Sequence, residues 1–169
     1  LFCFVASMIC ANINLHKNII SYLIFLVYNF KMTTENNKND IVLISPHELI
    51  AHEKVKIRHA LYILLKMIFS GRFKTPLLID AKTKTILDGH HRCYAANRLG
   101  LKHIPCYLVN YLNDQSIKVH ARRSDTPVDK KKVIEMSLSP KVFPHKTTKH
   151  EYEIPKFDSL PLNDLWKQN

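Results

Sequence analysis

From residue 41 onward, apolar positions fall into short runs separated by polar turns, and the spacing within each run predicts its conformation. Ile41–Ile44 (IVLI) reads as a strand. It leads into Ser45-Pro46-His47-Glu48, which has the form of a capping box with proline at the first helical position, so a short helical turn through Ile50 is expected. Across residues 55–69, Leu61, Leu64, Leu65 and Ile68 recur at helical spacing and predict an amphipathic helix ending near Gly71, with this face in the core. Residues 76–80 (PLLID) read as a buried strand, 81–83 as a polar turn, and 85–87 (TIL) as a second strand that stops at Asp88-Gly89. Residues 92–99 carry helix formers with Gly100 in the position after the cap, and residues 104–111 return to a strand.

Beyond Asn113 the pattern changes. Residues 118–150 hold nine Lys or Arg against the three acids Asp125, Asp129 and Glu135. Thr126-Pro127-Val128-Asp129 reads as a helix start before KKKVIEMSL, residues 140–150 read as a basic loop, and the proline-broken tail from Glu151 is expected to pack back as an irregular strap. At the other end, residues 1–31 contain no acid, and NINLHKN at 12–18 splits them into two apolar runs. Each run is shorter than the ~20 residues of a spanning helix. Met32 followed by TTENNKND has the look of an ordinary start and a flexible leader. Residues 1–31 therefore read as translated upstream sequence or an optional N-terminal extension, residues 32–40 as leader, 41–113 as the core, and 114–169 as a basic C-terminal part closing the site. The expected fold class is a compact α/β (α+β) mixed sheet with flanking helices.

Composition narrows the chemistry. At 169 residues, 46% hydrophobic and 23% charged, the chain suits one globular domain and excludes wholesale disorder or a fibrous repeat. Three glycines, in neither G-x-x-x-x-G-K-[ST] nor G-x-G-x-x-G, exclude the glycine-rich nucleotide loops. A net charge of +11 points to anionic partners, either nucleic acid or small phosphorylated ligands. After Met32 only Cys93 and Cys106 remain, without C-x-x-C, which suits a reducing cytoplasm, and the absence of H-E-x-x-H argues against zinc. The strongest constellation is Ile86-Leu87-Asp88-Gly89-His90-His91-Arg92: a carboxylate, two imidazoles and a guanidinium on a strand-to-helix turn, where main-chain N–H groups and the helix dipole favour anions. Its bland alternative is a polar loop with Asp88 as a helix cap.

I-L-D-G-H-H-R followed by a helix and L-G-L-K-x-I-P resembles the ParB/sulfiredoxin superfamily, and D-G-H-H-R resembles its free L-serine kinase branch. Two further segments match in order: Ser45-Pro46-His47-Glu48-Leu49-Ile50-Ala51-His52-Glu53, similar to the family's S-P-x-x-L-x-x-H-E, and residues 143–150 (FPHKTTKH), similar to its P-x-K-T-T-[RK]-H. The resemblance implies transfer of a phosphoryl group from ADP or ATP to the hydroxyl of free L-serine, with Mg²⁺. It implies Glu53 as the carboxylate that orients or deprotonates the hydroxyl, and Asp88 as a second catalytic candidate or magnesium ligand. It also implies Gly89, His90, His91 and Arg92 around phosphate oxygens, with Lys146, Thr147, Thr148 and His150 closing from the opposite side. His145 and Lys149 depart from the family's usual Pro or small residue and Arg; Lys keeps the charge without the bidentate fork. Sulfiredoxin chemistry needs a cysteine where His90 stands, so it is disfavoured. The alternative function is a ParB-like nucleotide-sensing or nucleic-acid-binding regulator without kinase activity. No membrane partner is expected unless residues 1–31 are retained.

Overall fold

In the computed structural model, residues 41–153 and 156–167 are described, so the readings for residues 1–40 lie outside the described residues. The fold is organised by β4 (Leu77–Asp80) and β5 (Thr85–Asp88), two antiparallel strands joined by a tight turn. Asp80 closes that turn: its Oδ2 accepts from the Thr83 N–H at 2.9 Å and the Thr83 hydroxyl at 2.7 Å. Strand side chains alternate between faces. Leu77, Ile79 and Ile86 belong to one apolar cluster, and Leu78 and Leu87 to another. Both faces are covered, which is why PLLID is continuously apolar rather than alternating.

Around this pair stand β1 (Ile41–Ile44), β6 (Ile104–Val109) and β2 (Ile50–Ala51), giving the strand order β1-β6-β4-β5-β2. The sheet is mixed: β1 runs antiparallel to β6, β6 parallel to β4, and β2 parallel to β5. The first cluster lies under α1 (Ile57–Ser70), α2 (His90–Arg98) and a short α4 (Leu162–Leu165), and it includes Met67, Cys93, Ala95, Ala96, Leu162 and Leu165. On the opposite face Tyr111, Ile117, Val133 and Ile134 pack beneath α3 (Lys130–Leu138). Asp129 caps α3 as expected, its Oδ1 accepting from the Lys132 N–H at 2.8 Å. Cys93 and Cys106 are buried free thiols, pushed up by burial to about 11 and about 12, so neither is a nucleophile.

Several expectations need correction. The turn after Ser45 spans only Pro46–Glu48, because Ile50 and Ala51 are already paired with β5. Helix α1 forms, but Ala60 and Met67 are its buried residues, while Leu61, Leu65 and Ile68 stand 47%, 50% and 50% exposed. Ala60, Ile63, Leu64 and Met67 make the packed stripe. The stripe read from sequence is displaced from it by one residue, or about 100° of rotation. Residues 148–150, read as loop, belong to β8 (Thr148–Glu151), which pairs antiparallel with β7 (Lys118–Ala121). The tail is more regular than a strap: β9 (Leu160–Pro161) pairs with β3 (Arg72–Phe73) before α4.

Candidate active site

Strand β5 passes into α2 through Gly89, whose φ of +104° is a conformation side chains rarely adopt. A Cβ there would sit 2.7 Å from Leu77 Cγ, so the turn also requires glycine for space. Asp88, just before it, is half-exposed; its Oδ2 accepts from Arg92 Nη2 at 2.7 Å and from the Tyr152 hydroxyl at 3.1 Å. Burial and the Asp88 charge push the Tyr152 phenol up, so it remains a donor. Arg92 also donates to the Thr75 carbonyl at 3.2 Å, so Asp88 and Arg92 hold one another across one turn of helix.

The two histidines of the turn have different fates. His91 is half-buried and its Nε2 accepts from the Lys56 N–H at 3.2 Å. Its pKa is lowered by burial first, then by His59, 4.8 Å away ring to ring, and by Lys146 and His145, with Asp88 opposing. A neutral His91 then carries its proton on Nδ1. His90 turns inward: it is buried, and its Nε2 finds no hydrogen-bond partner among the described residues. Burial, followed by His52, His150, His91 and Arg92, holds it well below the ordinary imidazole value. Its ring meets His52 edge-on at 4.5 Å, and His52 in turn meets His150 at 6.0 Å. His150 accepts from the Tyr111 hydroxyl at 2.8 Å, and burial lowers its pKa to about 3. A tyrosine hydroxyl donating to a ring nitrogen fits that neutral form.

Glu53 is the centre of a second arrangement. Its side chain is buried, 8% exposed. Its Oε1 accepts from the Lys146 N–H, and its Oε2 from the N–H groups of Thr147 and Thr148, each at 3.1 Å, and from the Thr148 hydroxyl at 3.0 Å. Three successive N–H groups converge because Lys146 adopts φ +59°, the left-handed conformation that curls the chain into an anion-binding nest. Main-chain pairing brings the two segments together: Phe143 N–H donates to the His52 carbonyl at 2.8 Å and Lys54 N–H to the Phe143 carbonyl at 2.9 Å. The Thr147 hydroxyl closes the loop on the Pro144 carbonyl at 2.8 Å.

The structure thus joins Glu53 to Lys146, Thr147 and Thr148, and Asp88 to Arg92. His91 lies within electrostatic reach of both Asp88 and Lys146. His90, buried, and His150, half-buried, pack their rings against the buried His52. Lys149 points to Glu151 at 2.8 Å on the exposed β7–β8 ribbon. Sequence reasoning assigned no role to His52, Tyr111 or Tyr152. His52 stood inside the quoted S-P-x-x-L-x-x-H-E segment, whereas nothing near Tyr111 or Tyr152 marked them.

For magnesium, no group of three or more potential ligands occurs among the described residues. Asp88 Oδ1 has no partner among them, however, and a single carboxylate is what an ion carried mainly by phosphates and water needs.

No protein-family model matches the chain. Over 72 residues it is 35% identical to a ParB-like protein of Sulfolobus acidocaldarius, a match covering 43% of this chain and 36% of that protein. The chain therefore spans about a third of the curated relative it matches. Among solved structures, it superposes on a conserved hypothetical protein from Pyrococcus furiosus with TM-score 0.68 at 17% identity, covering 76% of this chain and 98% of the other. A free serine kinase in complex with AMP gives TM-score 0.68 at 16% identity, covering 76% and 95%. A variant of such a kinase, with a glutamate replaced by alanine, in complex with ADP gives TM-score 0.68 at 15% identity. Among the described residues no helix is long and apolar enough to cross a membrane. The chain has the mixed α/β fold of the free serine kinase structures, as its resemblance to the ParB/sulfiredoxin superfamily implied.

Proposed function

We propose that this protein is a free L-serine kinase that transfers a phosphoryl group from ADP or ATP to the serine hydroxyl, giving O-phospho-L-serine. One observation carries the reading: a nest of three main-chain N–H groups closes on a buried carboxylate, next to a helix N-terminus flanked by a second carboxylate and a guanidinium. Phosphoryl transfer needs positive groups around phosphate oxygens and a carboxylate at the attacking hydroxyl.

In this reading Glu53 takes the hydroxyl proton, using Oε1, which holds one hydrogen bond against three on Oε2. The exposed Lys146 side chain faces the phosphates from one side, while the N–H groups of Lys146, Thr147 and Thr148 hold the Glu53 carboxylate in place. Gly89, His91 and Arg92 face the phosphates from the other. His90, which is buried, and His150, which is half-buried, support these groups from behind. Asp88 orients the acceptor, and Asp88 Oδ1 is the ligand it would offer magnesium, which neutralises phosphate charge when bound. Such an enzyme would work in the cytoplasm, where serine and nucleotides are present.

The test is incubation of the purified protein with L-serine and Mg²⁺, with ADP and ATP in separate reactions, followed by phosphorus NMR. O-phosphoserine with either donor is expected. No product from a folded protein that still binds nucleotide would overturn the kinase reading. It would favour a ParB-like regulator, the reading supported by the 72-residue match to a ParB-like protein.

A further inference from the structure

The Thr148 hydroxyl stands between a carboxylate and an imidazole: its Oγ1 lies 3.0 Å from Glu53 Oε2 and 3.0 Å from His52 Nε2. Across the ring, His52 Nδ1 is 2.7 Å from the Ile86 carbonyl, which can only accept. Nδ1 therefore carries a proton. His52 is fully buried, and desolvation lowers its pKa against the opposing pull of the Ile86 carbonyl and Glu53, so at neutral pH the ring is neutral and Nε2 is an acceptor. The other rings facing it are His90 from α2 at 4.5 Å, His150 from β8 at 6.0 Å and Phe143 at 6.3 Å. The hydroxyl thus has one proton and two acceptors. With Glu53 ionised, the charge-assisted bond to the carboxylate is the stronger. With Glu53 protonated, Nε2 becomes the better acceptor.

We propose that Thr148 and His52 are positioning residues that tune the proton affinity of Glu53, the Thr148 hydroxyl donating to ionised Glu53 and turning to His52 Nε2 once Glu53 is protonated. The source of that proton rests on the kinase reading. As the serine O–H bond breaks, its proton goes to Glu53 Oε1 and the oxygen's electron pair forms the new O–P bond. The O–P bond to the nucleotide breaks with its pair staying on the nucleotide. Thr148 keeps its own proton and only reorients, and Glu53 returns its proton to solvent after product leaves.

The pH profile of kcat for the purified protein with L-serine and nucleotide tests this, because the acidic limb reports Glu53 ionisation. Thr148→Val removes a donor to the ionised carboxylate and should move the limb up by about half a unit or more. His52→Asn keeps a donor for Ile86 but removes the alternative acceptor, so it should move the limb down. The double variant should match Thr148→Val, and Thr148→Ser should restore the wild-type limb. Shifts in the same direction, or shifts that add in the double variant, overturn the proposal. If His52→Asn does not fold, the contrast between Thr148→Val and Thr148→Ser decides it.

Imidazole nitrogen-15 NMR reads the switch without turnover. His52 should be the Nδ1–H tautomer, and Glu53→Gln should move its Nε2 resonance toward the hydrogen-bonded value only while Thr148 is present. An Nε2–H tautomer, or no response to Glu53→Gln, overturns the switch even where kinase activity stands. The expected spectra with no O-phosphoserine formed would support the switch and reject only the kinase reading.

Discussion

Gly89 and Lys146 both hold positive φ, yet their chemistry makes opposite demands. At Gly89 the left-handed backbone coincides with a wall, Leu77 Cγ lying 2.7 Å from where a Cβ would sit. Gly89→Ala should therefore cost about 2–4 kcal/mol through backbone strain and overpacking, read as a lower urea midpoint. An unchanged midpoint would mean the β5–α2 turn relaxes. At Lys146 the strain of about 1–2 kcal/mol is carried by an exposed lysine. Glycine there relieves it while giving the unfolded chain more freedom. Lys146→Gly should accordingly melt no earlier than wild type, yet bind nucleotide several-fold more weakly, because the nest is kept and the charge removed. A matching loss of stability would show that the side chain, not the N–H group, holds the segment. Glu53 differs again, since its charge answers three N–H groups and a hydroxyl. Glu53→Gln should cost about 1–3 kcal/mol of stability as well as turnover.

Among elements, β8 couples the nest to the core, because Thr148 and His150 point from it to His52 and Tyr111. His52, His90 and His150 all have folded-state pKa values below the ordinary 6.5, with burial as the first cause in each. Unfolding lets each imidazole take up a proton that the folded state refuses. These histidines therefore cost nothing above pH 6.5 and destabilise the fold progressively as pH falls, until His150 itself titrates at about 3. Each contributes a slope of a little over ~1 kcal/mol per pH unit at most. Urea midpoints measured from pH 7 to pH 4 should fall more steeply for wild type than for His150→Gln; equal slopes would place the acid sensitivity elsewhere. The β7–β8 ribbon was not legible in sequence because KVHA and TKHE are largely exposed and give no apolar alternation. Two-residue strands such as β2, β3 and β9 escape for another reason: partners distant in sequence define them. By contrast β4, β5, α2 and α3 were legible because local capping, turn residues and periodicity agree there. The site divides likewise. Asp88 to Arg92 stand out as four ionisable groups around one turn, but the bond from Glu53 to residues 146–148 spans more than ninety positions, and only the family resemblance pointed to both ends.

At the scale of the whole molecule, the end of the chain locks the middle. Leu162 and Leu165 are buried in the cluster shared with α1 and α2. The Leu165 carbonyl accepts from Lys102 N–H at 2.9 Å and His103 N–H at 3.2 Å, Leu162 N–H donates to the Gly71 carbonyl at 2.9 Å, and Trp166 Nε1 donates to the Leu99 carbonyl at 2.8 Å. The closing residues thus tie the C-terminus of α1, the C-terminus of α2 and the entry to β6. Helix α2 begins at the turn that carries Asp88, Gly89 and His91, so loosening its far end is transmitted to the site along a rigid helix rather than through any contact with ligand. Leu165→Ala opens a cavity at a fully buried position and should cost about 2–5 kcal/mol. Nucleotide affinity should then fall only near the melting transition, in step with the folded fraction. Affinity lost well below that transition would mean that the C-terminal segment shapes the site directly, and that α4 acts on catalysis rather than on the fold that carries it.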